Sequence, residues 1–193
     1  MSNTSLPNRL IGILTLKAPI YREIAEDSGS LTTAAIITVA SVLATGIGSA
    51  FVSTMLPGAI PADMQTPEIA AALAASANPV LNFLSAVISG LVAWFIGSFA
   101  FGFVAKMLGG RTNTGEMLRV LGHVNIVDFL NLIPCMGLVA WILKLVAMII
   151  GIREAAEFDT VKAVITGIIG VVVIWGINFA INAVLGMVFV AIG

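Results

Sequence analysis

The chain has 193 residues, 59% of them apolar and 10% charged, with a mean hydropathy of +1.09 and a net charge of -1. Soluble domains are about 45 to 50% apolar and about 25% charged, so this is the composition of an integral membrane protein; no polar block is long enough for a separate soluble domain, and the charge gives a nucleic-acid partner no support. The single cysteine, Cys135, excludes an internal disulfide and a thiolate metal site and reads as a small apolar filler.

Residues 1 to 30 are expected to be a retained cytoplasmic segment. The apolar run Leu10 to Leu16 is short, Gly12 breaks it, and Glu23, Glu26 and Asp27 stand where a signal peptide would have small residues. Pro19 suits a first helical turn, with Ile20, Tyr21, Ile24 and Ala25 on one side and Arg22, Glu23 and Glu26 on the other. This pattern predicts a short amphipathic helix in the headgroup layer, the alternative being a solvated leader. A transmembrane domain over residues 31 to 193 follows.

Leu31 to Met55 is uncharged and long enough for a first span, thinned by Gly46, Gly48, Ser49 and Ala50. In the loop from Pro57 to Asn78, which carries Asp63 and Glu68, Thr66-Pro67-Glu68 reads as the start of a short helix over Glu68 to Ala75. The second span covers residues 80 to 107 and holds Trp94 and the small residues Gly90, Gly97, Ser98 and Gly102, of which Ser98 and Gly102 share a face. Gly109 and Gly110 stop it, and Thr112 or Thr114 is expected to cap the next helix.

Residues 116 to 133 and 135 to 152 read as two short apolar helices folded back at Pro134 to Gly137. Each carries one charge, Asp128 eight residues before Met136 and Lys144 eight residues after it. At 1.5 Å per residue the two are matched in depth, about 12 Å below the turn. A charge at the bilayer centre costs about 2.5 to 3.5 kcal/mol on insertion scales, so pairing is favoured. The pair then either fixes the register of the hairpin or forms part of a polar site. Asp159 or Thr160 caps the last span, residues 161 to 192, about 48 Å as one helix and therefore tilted, bent or projecting. Gly167, Gly170 and Gly176 are candidate bends, and Asn178 and Asn182 share a face expected to point toward other helices.

Eight of the nine Lys and Arg residues fall in three alternate segments, around Arg9 to Arg22, Lys106 to Arg119, and Arg153 to Lys162. The positive-inside rule puts these in the cytoplasm, with five spans, a cytoplasmic N-terminus and Gly193 on the far side of the inner membrane. On an α-helical wheel Glu116, Arg119 and His123 share an arc, with Asn131 beside it and Asn125 and Asp128 further round, so no single stripe forms a proton wire. His123 is expected to be a hydrogen-bonded packing residue. No G-x-S-x-G, H-E-x-x-H, Walker loop or Cys/His cluster is present, so no enzyme, cofactor or metal site is expected.

The segments RLIGILTLKAPIYREIAEDSG, TGEMLRVLGHV and IIGIREAAEFDTVKAV, with a long second span ending in a glycine pair, resemble the Ypt-interacting-protein (Yip) family in its short bacterial form. The resemblance covers nearly the whole chain, apart from Asn125-Ile126-Val127-Asp128, where bacterial relatives often have a proline. It implies five spans and a cytosolic N-terminus. Eukaryotic members interact with Rab-type GTPases and with one another, although no residue here matches a GTPase contact. Two readings stay open. One is a non-enzymatic scaffold or accessory subunit, embedded in membrane lipid and joined to a protein partner or a second copy through faces containing Gly46, Gly48, Gly90, Gly97, Ser98 and Gly102. The other is a small transporter, channel or lipid-binding protein with a polar site at Asp128, Lys144, Asn131, His123, Asn178 and Asn182.

Overall fold

The computed structural model describes residues 4–59, 61, 66–133 and 136–192, and among these all regular structure is helical. Asp63, Pro134 and Cys135 lie outside the described residues, and with them the readings of the loop acid and the turn cysteine. Two short helices, α1 (Leu6–Leu14) and α2 (Ala18–Glu26), precede α3 (Ser30–Ala59). Then come α4 (Pro67–Ser76), α5 (Pro79–Met107), α6 (Thr114–Val124), a 3-10 helix (Asn125–Leu132), α7 (Gly137–Ala156) and α8 (Thr160–Ile192).

Side chains start and stop these helices by supplying the hydrogen bonds that free ends lack. Asn78 accepts from the amides of Val80 and Leu81 at the head of α5. Asn113, rather than either neighbouring threonine, caps α6: its side chain accepts from the Glu116 amide while Glu116 accepts from the Asn113 amide. Asp159 accepts from the Lys162 amide at 3.0 Å and caps α8. At the end of α5, Gly109 has a φ of +85°, and the Gly110 amide reaches back to the Ala105 carbonyl at 2.8 Å, a closure that favours glycine at the left-handed position.

By length and composition α3, α5 and α8 are suited to cross a bilayer. Their outer faces are apolar and exposed, as at Ile36, Phe51, Phe103, Val172 and Phe179, which suits lipid rather than water. Between α3 and α8, α5 packs on both and also on α6; α8 packs on α7, α7 on α6 and the 3-10 helix, and these on α3. The five rods thus form one bundle.

The segment predicted as one α-helix over 116 to 133 changes pitch at Asn125. Asparagine and the branched Ile126 and Val127 are poor α-formers, and hydroxyls on α3 take up backbone carbonyls at the change. Ser41 donates to the Asn125 carbonyl at 2.8 Å, and the Asn125 amide nitrogen donates to the Thr38 hydroxyl at 3.0 Å. Eleven residues of α-helix and eight at about 2.0 Å rise extend about 33 Å, against a hydrocarbon core of about 30 Å. The larger rise makes the segment longer than an α-helix of the same number of residues would be.

The N-terminal segment is a helical hairpin rather than one interfacial helix. It turns at Leu16, which has a φ of 57°, and Gly12 meets Ile20 so closely that a Cβ would lie 2.6 Å from the Ile20 side chain. Ile13, Tyr21, Ile24 and Ala25 are buried in the main core with residues of α6 and α7 such as Met117, Val120 and Ile152. The apolar face of α2 therefore covers protein, not headgroups: α2 lies against α6 and α7, whose apolar ends would otherwise be bare.

Charges hold this hairpin down. Arg9 bonds Glu23 at 2.9 Å and Asp27 at 2.7 Å; Arg22 bonds Glu157 at 2.6 Å and the Glu154 carbonyl at 3.2 Å. Arg119 donates to the Ala25 carbonyl. Arg22 and Arg119 thus each put a cation on the last turn of another helix, α7 and α2 respectively, where the backbone dipole is negative. The buried Tyr21 hydroxyl donates to the Ile13 carbonyl at 3.0 Å, and burial pushes the phenol pKa up.

Candidate functional site

The two charges on the hairpin meet. The Lys144 ammonium on α7 donates to both carboxylate oxygens of Asp128 on the 3-10 helix, at 2.6 and 2.8 Å. Lys144 lies near the middle of the apolar run Gly137 to Ile152, about 10 to 12 Å from either end. Such charge-assisted contacts offset much of the cost of holding two ions among apolar helices.

The pair is not sealed in the core. Its side chains keep 18% and 37% of their surface and border a cavity of about 210 Å³ between the helices. All five rods contribute walls: Val42 from α3, Trp94 and Phe101 from α5, Leu121 and Val124 from α6, Asn125 and Asp128 from the 3-10 helix, Trp141 and Lys144 from α7, and Trp175 from α8. Trp94 is fixed by donating to the Leu118 carbonyl at 3.0 Å, and Gly122 makes room for it, since a Cβ there would lie 2.9 Å from the indole nitrogen. Trp141 and Trp175, on neighbouring helices, are 54% and 66% exposed and mark an opening on the flank of the bundle.

Of the polar residues singled out in the sequence, only Asp128 and Lys144 line this cavity. His123 is fully buried within α6. Its Nδ1 lies 2.8 Å from the Arg119 carbonyl, an acceptor only, so Nδ1 carries the proton and Nε2 is a lone pair without a partner among the described residues. Asn131 is exposed near the turn, close to Gly137. Asn178 donates to the Ile174 carbonyl and Asn182 to that of Asn178, so both bond within their own helix, and Asn182 is exposed rather than turned to another helix. A helix of 33 residues, about 50 Å long, outruns the 20-residue α7 beside it, and Phe179, Val184 and Met187 in its C-terminal half are exposed among the described residues.

The cavity adds residues that the sequence did not single out as a group: Asn125 and all three tryptophans of the chain, Trp94, Trp141 and Trp175. Spacing held part of the signal. Trp141 and Lys144 are three apart on α7, and Asn125 and Asp128 are three apart where residues at that spacing eclipse one another. Only the 3-10 pitch makes the second pair a true stripe, and that pitch was not legible.

The small-residue faces are used inside the chain. A Cβ on Gly90 would lie 2.4 Å from Val42, one on Gly46 2.9 Å from Phe83, and one on Gly97 3.0 Å from Ile174. Gly102 faces Met117, Gly48 faces Leu132, and Ser98 is fully buried, donating to the Trp94 carbonyl. A Cβ on Gly176 or Gly186 of α8 would meet nothing within 4 Å among the described residues.

The family profile described as the Yip1 domain matches residues 11–190. The chain belongs to the Yip1 domain family. No significant match is found among curated proteins or among solved structures. The matched range takes in most of α1 and nearly all of α8, so every rod lining the cavity is part of the Yip1 domain. The Yip1 domain here is a helical membrane protein, with exposed apolar faces suited to lipid.

Proposed function

We propose that this Yip1 domain protein is a non-enzymatic membrane protein that holds the polar part of an amphiphile in the cavity at Asp128 and Lys144. One observation carries the reading: the ion pair borders a cavity open at the flank, where its remaining hydrogen-bonding capacity is within reach of a ligand. The apolar walls with a few converging polar groups are the usual make-up of a small-molecule site. In this reading the chain has five spans, with α6, the 3-10 helix and α7 completing the set, and lies in the cytoplasmic membrane with its charged end in the cytoplasm.

The test is mass spectrometry of the intact protein released from lipid nanodiscs, wild type beside the Asp128→Asn, Lys144→Met double variant. A bound amphiphile is expected on the wild type and not on the double variant. Equal retention by the two would dismiss the site.

A second reading, a scaffold or accessory subunit joined through its helices to a partner or another copy, draws support from the exposed stretch 176–188 of α8. There Gly176 and Gly186 are open and Phe179 is 79% exposed. The same spectra report it as a defined dimer or a stoichiometric partner, and a lone chain would count against it.

A further inference from the structure

Resting on the binding reading above, we propose that the group held in the cavity is an ammonium-and-phosphate zwitterion, the headgroup chemistry of an aminophospholipid. Charge balance comes first. Asp128 and Lys144 are the only ionisable residues among those lining the cavity, and they neutralise each other. An added anion or cation would leave a net charge near mid-bilayer, where charge is costly, whereas a zwitterion adds none.

The polar groups are also sorted by side. On α7, Lys144 spends two of its three N–H bonds on Asp128, leaving one as a donor. Trp141, one turn away on the same helix, and Trp175 on α8 have indole N–H groups without a hydrogen-bond partner among the described residues, unlike Trp94. These donors suit phosphate oxygens. On the 3-10 helix, the Asp128 carboxylate retains lone pairs, and Asn125, its amide nitrogen committed to Thr38, offers its carbonyl oxygen. These acceptors suit an ammonium, which tryptophan faces also attract.

Size decides how much of a lipid enters. A cavity of about 210 Å³ is smaller than the roughly 300 to 1,000 Å³ that encloses a drug-sized ligand. It takes a headgroup but not acyl chains, which pass between Trp141 and Trp175 into the bilayer.

The experiment offers the purified full chain equal amounts of phosphatidylethanolamine, phosphatidylglycerol and diacylglycerol with identical chains, and separately water-soluble phosphoethanolamine. Retention is read by intact-protein mass spectrometry and binding by tryptophan fluorescence. Phosphatidylethanolamine retained about tenfold over both other lipids is the expected result. Binding of phosphoethanolamine with equal affinity would identify the source as a soluble zwitterion; binding of the lipid alone would identify a membrane lipid. Phosphatidylglycerol retained equally or better would overturn the zwitterion while leaving a binding cavity in place. No retention of any lipid, with fluorescence unmoved by all four compounds, would overturn both readings. Trp141→Phe keeps the ring and the ion pair at an exposed position, so it serves where the Asp128→Asn, Lys144→Met variant fails to fold. It should lower the preference for phosphatidylethanolamine several-fold, and an unchanged preference would refute the donor side of the site.

Discussion

Asp128 and Lys144 depend on each other more than on any other group. Asp128→Asn leaves a half-buried lysine amid apolar helices without its counter-ion, and Lys144→Met leaves a carboxylate in the same position; each is expected to cost about 3 kcal/mol in the folded membrane protein. The double neutral variant should recover most of this loss, as should the reversal Asp128→Lys with Lys144→Asp. Unfolding midpoints in a single detergent measure the cycle, and strictly additive losses would show that the pair does not couple. A second residue-scale prediction concerns the charged end. The hydrogen bond from Arg9 holds the Asp27 carboxyl below the ordinary carboxylate range, assisted by the Gly29 amide. A folded pKa below the unfolded one stabilises above the ordinary value of 3.8 and loses that contribution as pH falls through the lowered folded value. Hydrogen-exchange protection of α1 and α2 should therefore be level from about pH 7 to about pH 5 and decline below about pH 4. Arg9→Gln should reduce protection at neutral pH and flatten the acid decline. A decline of equal size in that variant would assign it elsewhere.

At the scale of helices, the question is which glycines serve the fold and which remain for a partner. Gly90 admits Val42 between α3 and α5, so Gly90→Leu should force the two helices apart at a cost of about 1 to 3 kcal/mol. Gly176 meets nothing within 4 Å, and Gly176→Leu should leave the unfolding midpoint of the isolated chain unchanged. If Gly176→Leu nonetheless removes an associated protein or a dimer seen with the wild type, the bare face of α8 is a helix-helix interface. If it lowers the midpoint as much as Gly90→Leu, the open face of α8 is covered by the chain itself.

For the whole molecule, the distribution of charge sets the expected orientation. Arg9, Arg22, Lys106, Arg111, Arg119, Arg153 and Lys162 lie in the N-terminal hairpin or at the helix ends on the side it covers, and five spans then put the C-terminus across the membrane. Reporter groups at the two ends should be labelled from opposite sides of sealed vesicles. Labelling of both from one side would remove either α6 with its 3-10 extension or α7 from the count of spans.

What the sequence determined by itself was whatever depends on local composition. Long uncharged runs mark α3, α5 and α8, because hydrocarbon tolerates few charges over about 20 residues. Asp159 and the Gly109-Gly110 pair mark helix ends through backbone hydrogen bonds nearby in the chain, and eight-residue spacing on either side of the turn anticipated the contact of Asp128 with Lys144. Only the tertiary structure decided the rest. The pitch change at Asn125 depends on hydroxyls of Thr38 and Ser41, more than 80 residues earlier. The apolar face of α2 looks the same in sequence whether it meets headgroups or Met117 and Ile152, since burial against either removes the same surface from water. The tryptophans lie on three different helices, and a common cavity for them exists only once those helices have packed together.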